Sequence, residues 1–140
     1  MGPFHILMLS AGSLLGQNVL DSLENRRSKV RITGLNSEIS NPRIFRCDKV
    51  YKSPLLDSDN FGDFITEIVR KEQPDMILPG RDADVLLLAG LAEKSSDMKR
   101  LIPGGSLKAA KIMDNKWESH LFAVRYGLPF APSFLPEARD

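Results

Sequence analysis

Ile6-Leu7-Met8-Leu9-Ser10-Ala11-Gly12-Ser13 is a short apolar run that breaks into small residues. A strand that is apolar at every position is buried on both faces, as strands are in parallel sheets covered by helices. The small residues suit a tight turn out of the strand, and Leu15, Val19, Leu20 and Leu23 then recur at helical spacing. The charged Glu24-Asn25-Arg26-Arg27 closes that helix, and Val30, Ile32 and Leu35 form a second strand ending at Asn36. Strand, turn, helix and strand together make one crossover unit of a parallel sheet.

The pattern then repeats. A polar loop, Asn36 to Arg46, leads to the extended Lys49-Val50-Tyr51-Lys52, stopped by Ser53-Pro54. Phe61, Phe64, Ile65, Ile68 and Val69 fall at i, i+3, i+4, i+7 and i+8, one continuous helical stripe. Asp57, Ser58 and Asp59 offer N-caps for this helix, and Pro74 forbids its continuation. Met76-Ile77-Leu78 is another apolar strand, ending at Pro79-Gly80, and Asp82 or Asp84 is expected to cap a leucine-rich helix reaching Leu91. Arg100-Leu101-Ile102 reads as a last short strand broken by Pro103-Gly104-Gly105. Ser106 caps a short helix to Met113, and a second helix runs from about Asn115 to Tyr126, with Gly127 just past its end. Right-handed crossovers make the whole an α/β fold, a Rossmann-like doubly wound parallel sheet with helices on both faces. The single candidate boundary lies at Pro129 to Pro136, which divides the chain into a domain over 1–128 and a linker over 129–140.

Composition sets limits on function. A chain of 140 residues that is 42% hydrophobic can bury a core without staples. Nineteen basic residues against eighteen acidic ones exclude the broad basic surface that nucleic acid binding needs. No apolar run approaches the roughly 20 residues that span a bilayer, and the N-terminus lacks the pattern of a secretory signal. The lone Cys47 excludes an intramolecular disulfide and suits a reducing compartment, so the expectation is a soluble, cytoplasmic protein. A single cysteine beside a strand is more often inert than catalytic. His5 and His120 are isolated, with no Cys or carboxylate at metal-ligand spacing, so no metal site is expected; His5 reads as partly exposed packing. Trp117 reads as a packing anchor.

Ser10-Ala11-Gly12-Ser13-Leu14-Leu15-Gly16 sits between first strand and first helix, where a ligand can approach backbone N–H groups at a helix N-terminus. The dinucleotide fingerprint G-x-G-x-x-G needs Gly at 10, 12 and 15, and only Gly12 complies. Asn36 stands where such folds carry an acidic residue for the ribose. A reductase-like NAD(P)-binding domain therefore remains the alternative enzyme reading. A plain tight turn, or a seat for an anionic substrate group, fits the same residues. Pro79-Gly80-Arg81-Asp82-Ala83-Asp84 follows the fourth strand, at the edge where doubly wound sheets bind ligands. Arg81 can hold a carboxylate or phosphate by a two-pronged hydrogen bond, or it can pair with Asp82 or Asp84. A stand-alone response module would need an acidic cluster at the strand ends, and Ser10, Asn36 and Pro79 stand there instead.

Four stretches, in order, carry a resemblance: Ile6 to Gly12, Cys47 to Pro54, Pro74 to Asp82, and Asn115-Lys116-Trp117 with Gly127-Leu128-Pro129-Phe130-Ala131-Pro132. Together they cover nearly the whole chain and resemble the N-terminal, pre-ATP-grasp domain of the ATP-grasp ligases, carbamoyl phosphate synthase large chain-like branch. The resemblance implies an enzyme that uses ATP and Mg²⁺ to phosphorylate a carboxylate, which a nitrogen nucleophile then attacks. It implies that Gly12, Ser13, Arg81 and Asp82 face the substrate, a small carboxylate. The family's Asp-Lys pair appears as Asn115-Lys116, and Lys116 is carried over as the residue near the nucleotide. The resemblance further implies that the nucleotide lobes lie outside this chain, which alone would bind no cofactor and turn nothing over. Its partner would be the remainder of its own polypeptide. Leu121, Phe122, Val124 and Tyr126 cannot all face one core, so part of the last helix is expected to be exposed, with self-pairing into a homodimer as one outcome. The tail from Pro132 to Asp140 is expected to be extended.

Overall fold

The computed structural model describes residues 2–136. Four strands, β1 (Phe4–Met8), β2 (Val30–Asn36), β3 (Lys49–Lys52) and β4 (Met76–Leu78), form one sheet in the order β3-β2-β1-β4, and every pairing is parallel. The register sets Leu7 of the central β1 beside Thr33 on one side and Ile77 on the other. The connection leaves β1 toward β2 and β3, then crosses back to β4 on the other side. The carboxyl ends of β1 and β4 therefore diverge into separate turns, the place where such sheets open a crevice.

Alternation along β1 divides the core. Leu7 and Leu9 face α2 (Phe61–Glu72) and α3 (Asp82–Lys94), packing with Leu35, Ile65, Ile68, Ile77 and Leu88. Met8 faces the other way, toward Leu20 of α1 (Leu14–Ser22), with Ile32 and Cys47. The apolar strand and the helix on each face are thus one requirement: residues of both parities must be covered. The four strands and the helices between and after them match the α/β expectation.

Several boundaries differ from the reading of the sequence. Arg100-Leu101-Ile102 is not a strand: Ser96–Leu101 is a helix, α4. Met98, Leu101 and Ile102 stand at i, i+3 and i+4, and all three pack on the core, while the Ser95 hydroxyl accepts the Met98 N–H. The apolar pair Leu101-Ile102 looked like part of a strand because its helical partner, Met98, lies beyond two charged residues, Lys99 and Arg100. None of Asp57, Ser58 and Asp59 caps α2; Asn60 precedes it without a side-chain cap, and α2 ends at Gln73, which turns left-handed with φ 48° before Pro74. Neither Asp82 nor Asp84 is an N-cap, since both lie inside the first turn of α3 behind Arg81.

The last two helices follow the expectation closely. The Ser106 side chain caps α5 (Leu107–Asp114), and Asn115 caps α6 (Lys116–Tyr126) by accepting from both Trp117 and Glu118 N–H groups. Gly127 ends α6 with φ 63°, a backbone shape that strains any residue with a Cβ. Only Ala123 of α6 is buried, and Leu121, Phe122, Val124 and Tyr126 are all exposed. Residues 128–135 have no regular structure, and the expectation for the tail reaches residues 137–140, which lie outside the described residues.

Candidate functional site

Two turns meet at the carboxyl edge of the sheet. After β1 the chain reverses at Ser10, which takes a left-handed φ of 47° at a cost of about 1–3 kcal/mol. The reversal brings Ser13 to the head of α1, where its hydroxyl accepts the Gly16 N–H at 3.0 Å and donates to the Gly80 carbonyl at 2.6 Å. Gly80, in the turn after β4, is packed directly under this loop. A Cβ there would lie 2.4 Å from the Leu9 carbonyl oxygen and 2.6 Å from that of Ser10. Glycine at 80 is thus required by backbone packed on backbone.

Asp84 joins the two turns from below. Its side chain is fully buried, with one oxygen accepting the Gly80 N–H at 3.0 Å and the other the Ser10 hydroxyl at 3.1 Å. Arg81 reaches the same carboxyl group at 3.5 Å, while about half of its side chain remains exposed. Asp84 is therefore not a cap but a clasp that holds the strand-end turns and lies against one guanidinium nitrogen of Arg81. A buried polar group with several partners of this kind costs more to disrupt than any one bond suggests.

Between the turns lies a cavity of about 200 Å³ whose walls include Ser10, Gly12, Ser13, Asn36 and Arg81. Three of the substrate-side residues expected from the sequence, Gly12, Ser13 and Arg81, thus come together. Asp82 does not line this cavity and is exposed on the first turn of α3. Lys116 is exposed on the first turn of α6 and is not part of the cavity wall either. The reading of the sequence missed the part played by Asp84, whose signal was its position four residues after a strand-end glycine. It also missed Ser53, which closes the far wall after β3 and had served only to mark a strand end.

The first turn does not offer a dinucleotide cradle. The Gly12 N–H is already donated to the Asn36 side-chain oxygen at 3.2 Å, and the Asn41 amide reaches the Gly12 carbonyl at 3.4 Å. A Cβ at Gly12 would meet Asn36, Asn41 and Ile44 at 3.0–3.3 Å. The Gly12 N–H that a pyrophosphate would need is thus taken up within the protein, and the reductase-like alternative is not favoured.

A second polar cluster occupies the opposite, amino edge. Glu72, at the end of α2, is buried and accepts from Arg31 at 2.9 Å, from Lys49 at 2.6 Å and from the Tyr51 hydroxyl. Burial works against its ionised form, but the hydrogen bonds from Lys49 and Tyr51 outweigh it and hold the carboxyl below its ordinary range. His5 is buried rather than partly exposed, its Nε2 paired with the Thr33 hydroxyl at 2.8 Å. Burial first, and the charge of Arg31 second, lower its pKa below the usual 6.5. This cluster ties β1, β2 and β3 to α2. Cys47 is buried, and desolvation raises its thiol to about 11, which leaves it the inert cysteine expected.

Among the described residues no group of three or more His, Cys, Asp or Glu could hold a metal ion. The strand-edge cavity can bind and orient a small anion through Arg81, and it presents no general base or activated nucleophile. No helix among the described residues is long and apolar enough to cross a membrane.

This is the fold of the N-terminal domain of the biotin carboxylases. The biotin carboxylase domain of the Hydrogenobacter thermophilus 2-oxoglutarate carboxylase, in complex with MgADP, ADP and bicarbonate, matches 94% of this chain with a TM-score of 0.65 and 16% identity. The urea carboxylase of Kluyveromyces lactis matches 94% with a TM-score of 0.65 and 15% identity, and the pyruvate carboxylase of Rhizobium etli matches 93% with 0.60 and 14%. This chain spans 29%, 12% and 13% of those three proteins, respectively. No family model and no curated protein matches the sequence. At such identities the likeness establishes the fold, and function rests on the site.

Proposed function

We infer that this chain is the substrate-side domain of an ATP-dependent ligase of the ATP-grasp kind, one that joins a carboxylate to a nitrogen nucleophile through an acyl-phosphate. The observation that carries the reading is the placement of Arg81. A half-exposed guanidinium lines a small polar cavity, at the strand edge where this fold binds ligands, with one terminal nitrogen turned to buried Asp84 at 3.5 Å and the rest of the fork left over. The fold likeness supports the same reading, since each of the three solved neighbours is a biotin-dependent or urea carboxylase of greater length. ATP and Mg²⁺ would be held by the remainder of the polypeptide, which is the partner this reading requires. The domain's own work is to bind the carboxylate and fix its direction. A near-neutral net charge and a single buried cysteine suit a cytosolic setting.

The test uses the full polypeptide carrying this domain. ADP release from ATP is measured with and without a panel of small carboxylic acids, for the natural sequence and for Arg81→Lys. A carboxylate-stimulated release whose KM rises about tenfold or more in the variant, while kcat holds, is expected for a residue that binds substrate uniformly. Release that no carboxylate stimulates, or that ignores Arg81, overturns the reading.

A further inference from the structure

The polar side chains around the strand-edge cavity divide into two sets. One set builds the walls. Ser10 donates to Asp84, Ser13 bridges Gly16 and Gly80, Asn36 holds the Gly12 N–H and the Glu38 carbonyl, and Asn41 binds the Arg43 N–H and the Gly12 carbonyl. The second set is Ser37 and Ser53, whose hydroxyls engage no hydrogen-bond partner among the described residues, together with the outer half of Arg81. Ser53 is firmly placed, since its N–H donates to the Asn36 carbonyl at 3.0 Å and the residue is buried. Hydroxyls can both donate and accept, so two of them on the same cavity wall as a guanidinium match a molecule with a carboxylate and a second neutral oxygen.

Charge and size narrow the occupant further. Arg81 is the one ionisable side chain of the wall, and the Asp84 carboxyl beneath it is already occupied. A ligand ammonium would find no carboxylate on the wall, since Asp84 is fully buried and committed to Gly80, Ser10 and Arg81, and it would share the cavity with the Arg81 cation. A volume of about 200 Å³ lies below that of sites for drug-sized ligands, which leaves room for a molecule of a few heavy atoms.

We propose that this cavity selects a short carboxylic acid bearing a hydroxyl or keto oxygen, with Arg81 taking the carboxylate and Ser37 and Ser53 the second oxygen, and that it rejects the corresponding amino acid. The proposal rests on the substrate-pocket reading above and names the substrate class for it.

The test is an amide and Arg side-chain NMR titration of this chain with glycolate, pyruvate, acetate and glycine. Glycolate and pyruvate should shift the Ser37, Ser53 and Arg81 signals and bind about tenfold tighter than acetate or glycine. The double change Ser37→Ala with Ser53→Ala should bring glycolate down to the affinity of acetate while acetate itself is unchanged. If all four acids bind alike and Arg81→Gln weakens each of them, the carboxylate pocket stands and the selection falls. If Arg81→Gln weakens none, or no acid produces a site-specific shift, the proposal and the pocket reading fall together.

Discussion

The Asp84 carboxyl group reaches four residues back along its own chain to accept the Gly80 N–H at 3.0 Å, fully out of contact with water. Its other oxygen takes the hydroxyl of Ser10, a residue held at a left-handed φ. Replacing Asp84 by Ala leaves a buried N–H and a hydroxyl without partners, each worth about 1–3 kcal/mol when stranded. Asp84→Ala should therefore lose about 3 kcal/mol or more in urea unfolding. Asp84→Asn, which keeps an acceptor for one of the two, should lose clearly less. Equal losses would mean that the clasp needs both carboxylate oxygens as acceptors at once.

Gly80 and Gly104 make a matched pair. A methyl group at 80 collides with two backbone carbonyls, whereas at 104 it meets nothing within 4 Å. Backbone cannot give way as a side-chain tip can, so Gly80→Ala should cost about 3 kcal/mol, at the upper end for overpacking. Gly104→Ala should lie within about 0.5 kcal/mol of the natural chain, as surface changes do. A thermal melt of each variant decides the matter.

The parallel sheet was legible because Ile6 to Leu9 and Met76 to Leu78 are apolar at every position, which only a doubly covered sheet explains. The ends of α5 and α6 were legible because Ser106, Asn115 and Gly127 act locally through their own backbone geometry. Arg81 was found because a charged residue just past a strand is unusual enough to note. Asp84 and Ser53 were hidden, since the value of each depends on partners 74 and 17 residues away, Ser10 and Asn36. The strand assigned to Arg100–Ile102 failed for the same reason. Two adjacent apolar residues, Leu101 and Ile102, acquire a period only when the core that Met98 touches is known.

Acid should loosen the amino edge in two steps. His5 has its pKa lowered in the folded protein, so its contribution is fully present above its ordinary 6.5 and is lost as pH falls through the folded value. Glu72 is likewise lowered, so its contribution is present above its ordinary 4.5 and fades as pH falls through the folded value. In both cases the unfolded chain binds more protons, and stability declines with acid. Unfolding free energy measured against pH should keep the upper step and lose the lower one in Glu72→Gln. His5→Gln should do the reverse. A lower step that survives in Glu72→Gln would assign it to other carboxyl groups.

The last helix has the weakest hold on the rest of the fold. Ala123 is its only buried residue, while Val124 is 66% exposed and Tyr126 59% exposed. Its aromatic contacts are largely its own, with Phe122 on Tyr126 at 4.6 Å and Trp117 on His120 at 5.1 Å. An eleven-residue helix is marginal without packing, so local opening of α6 should cost far less than opening of the sheet. Amides of α6 should exchange with solvent at least about a hundredfold faster than those of Leu7 and Ile32 in the sheet, the difference expected when local opening precedes global unfolding. Asn115→Ala, which removes both cap bonds at about 1 kcal/mol, should speed α6 exchange about fivefold and leave the strands unchanged. Phe122→Glu adds a charge to an exposed face and should move the melting temperature by no more than about 3 °C. The variant also separates two causes of protection. If α6 exchanges as slowly as β1 in the natural chain but quickly in Phe122→Glu, and the natural chain sediments as a dimer, the exposed face is covered by a second copy.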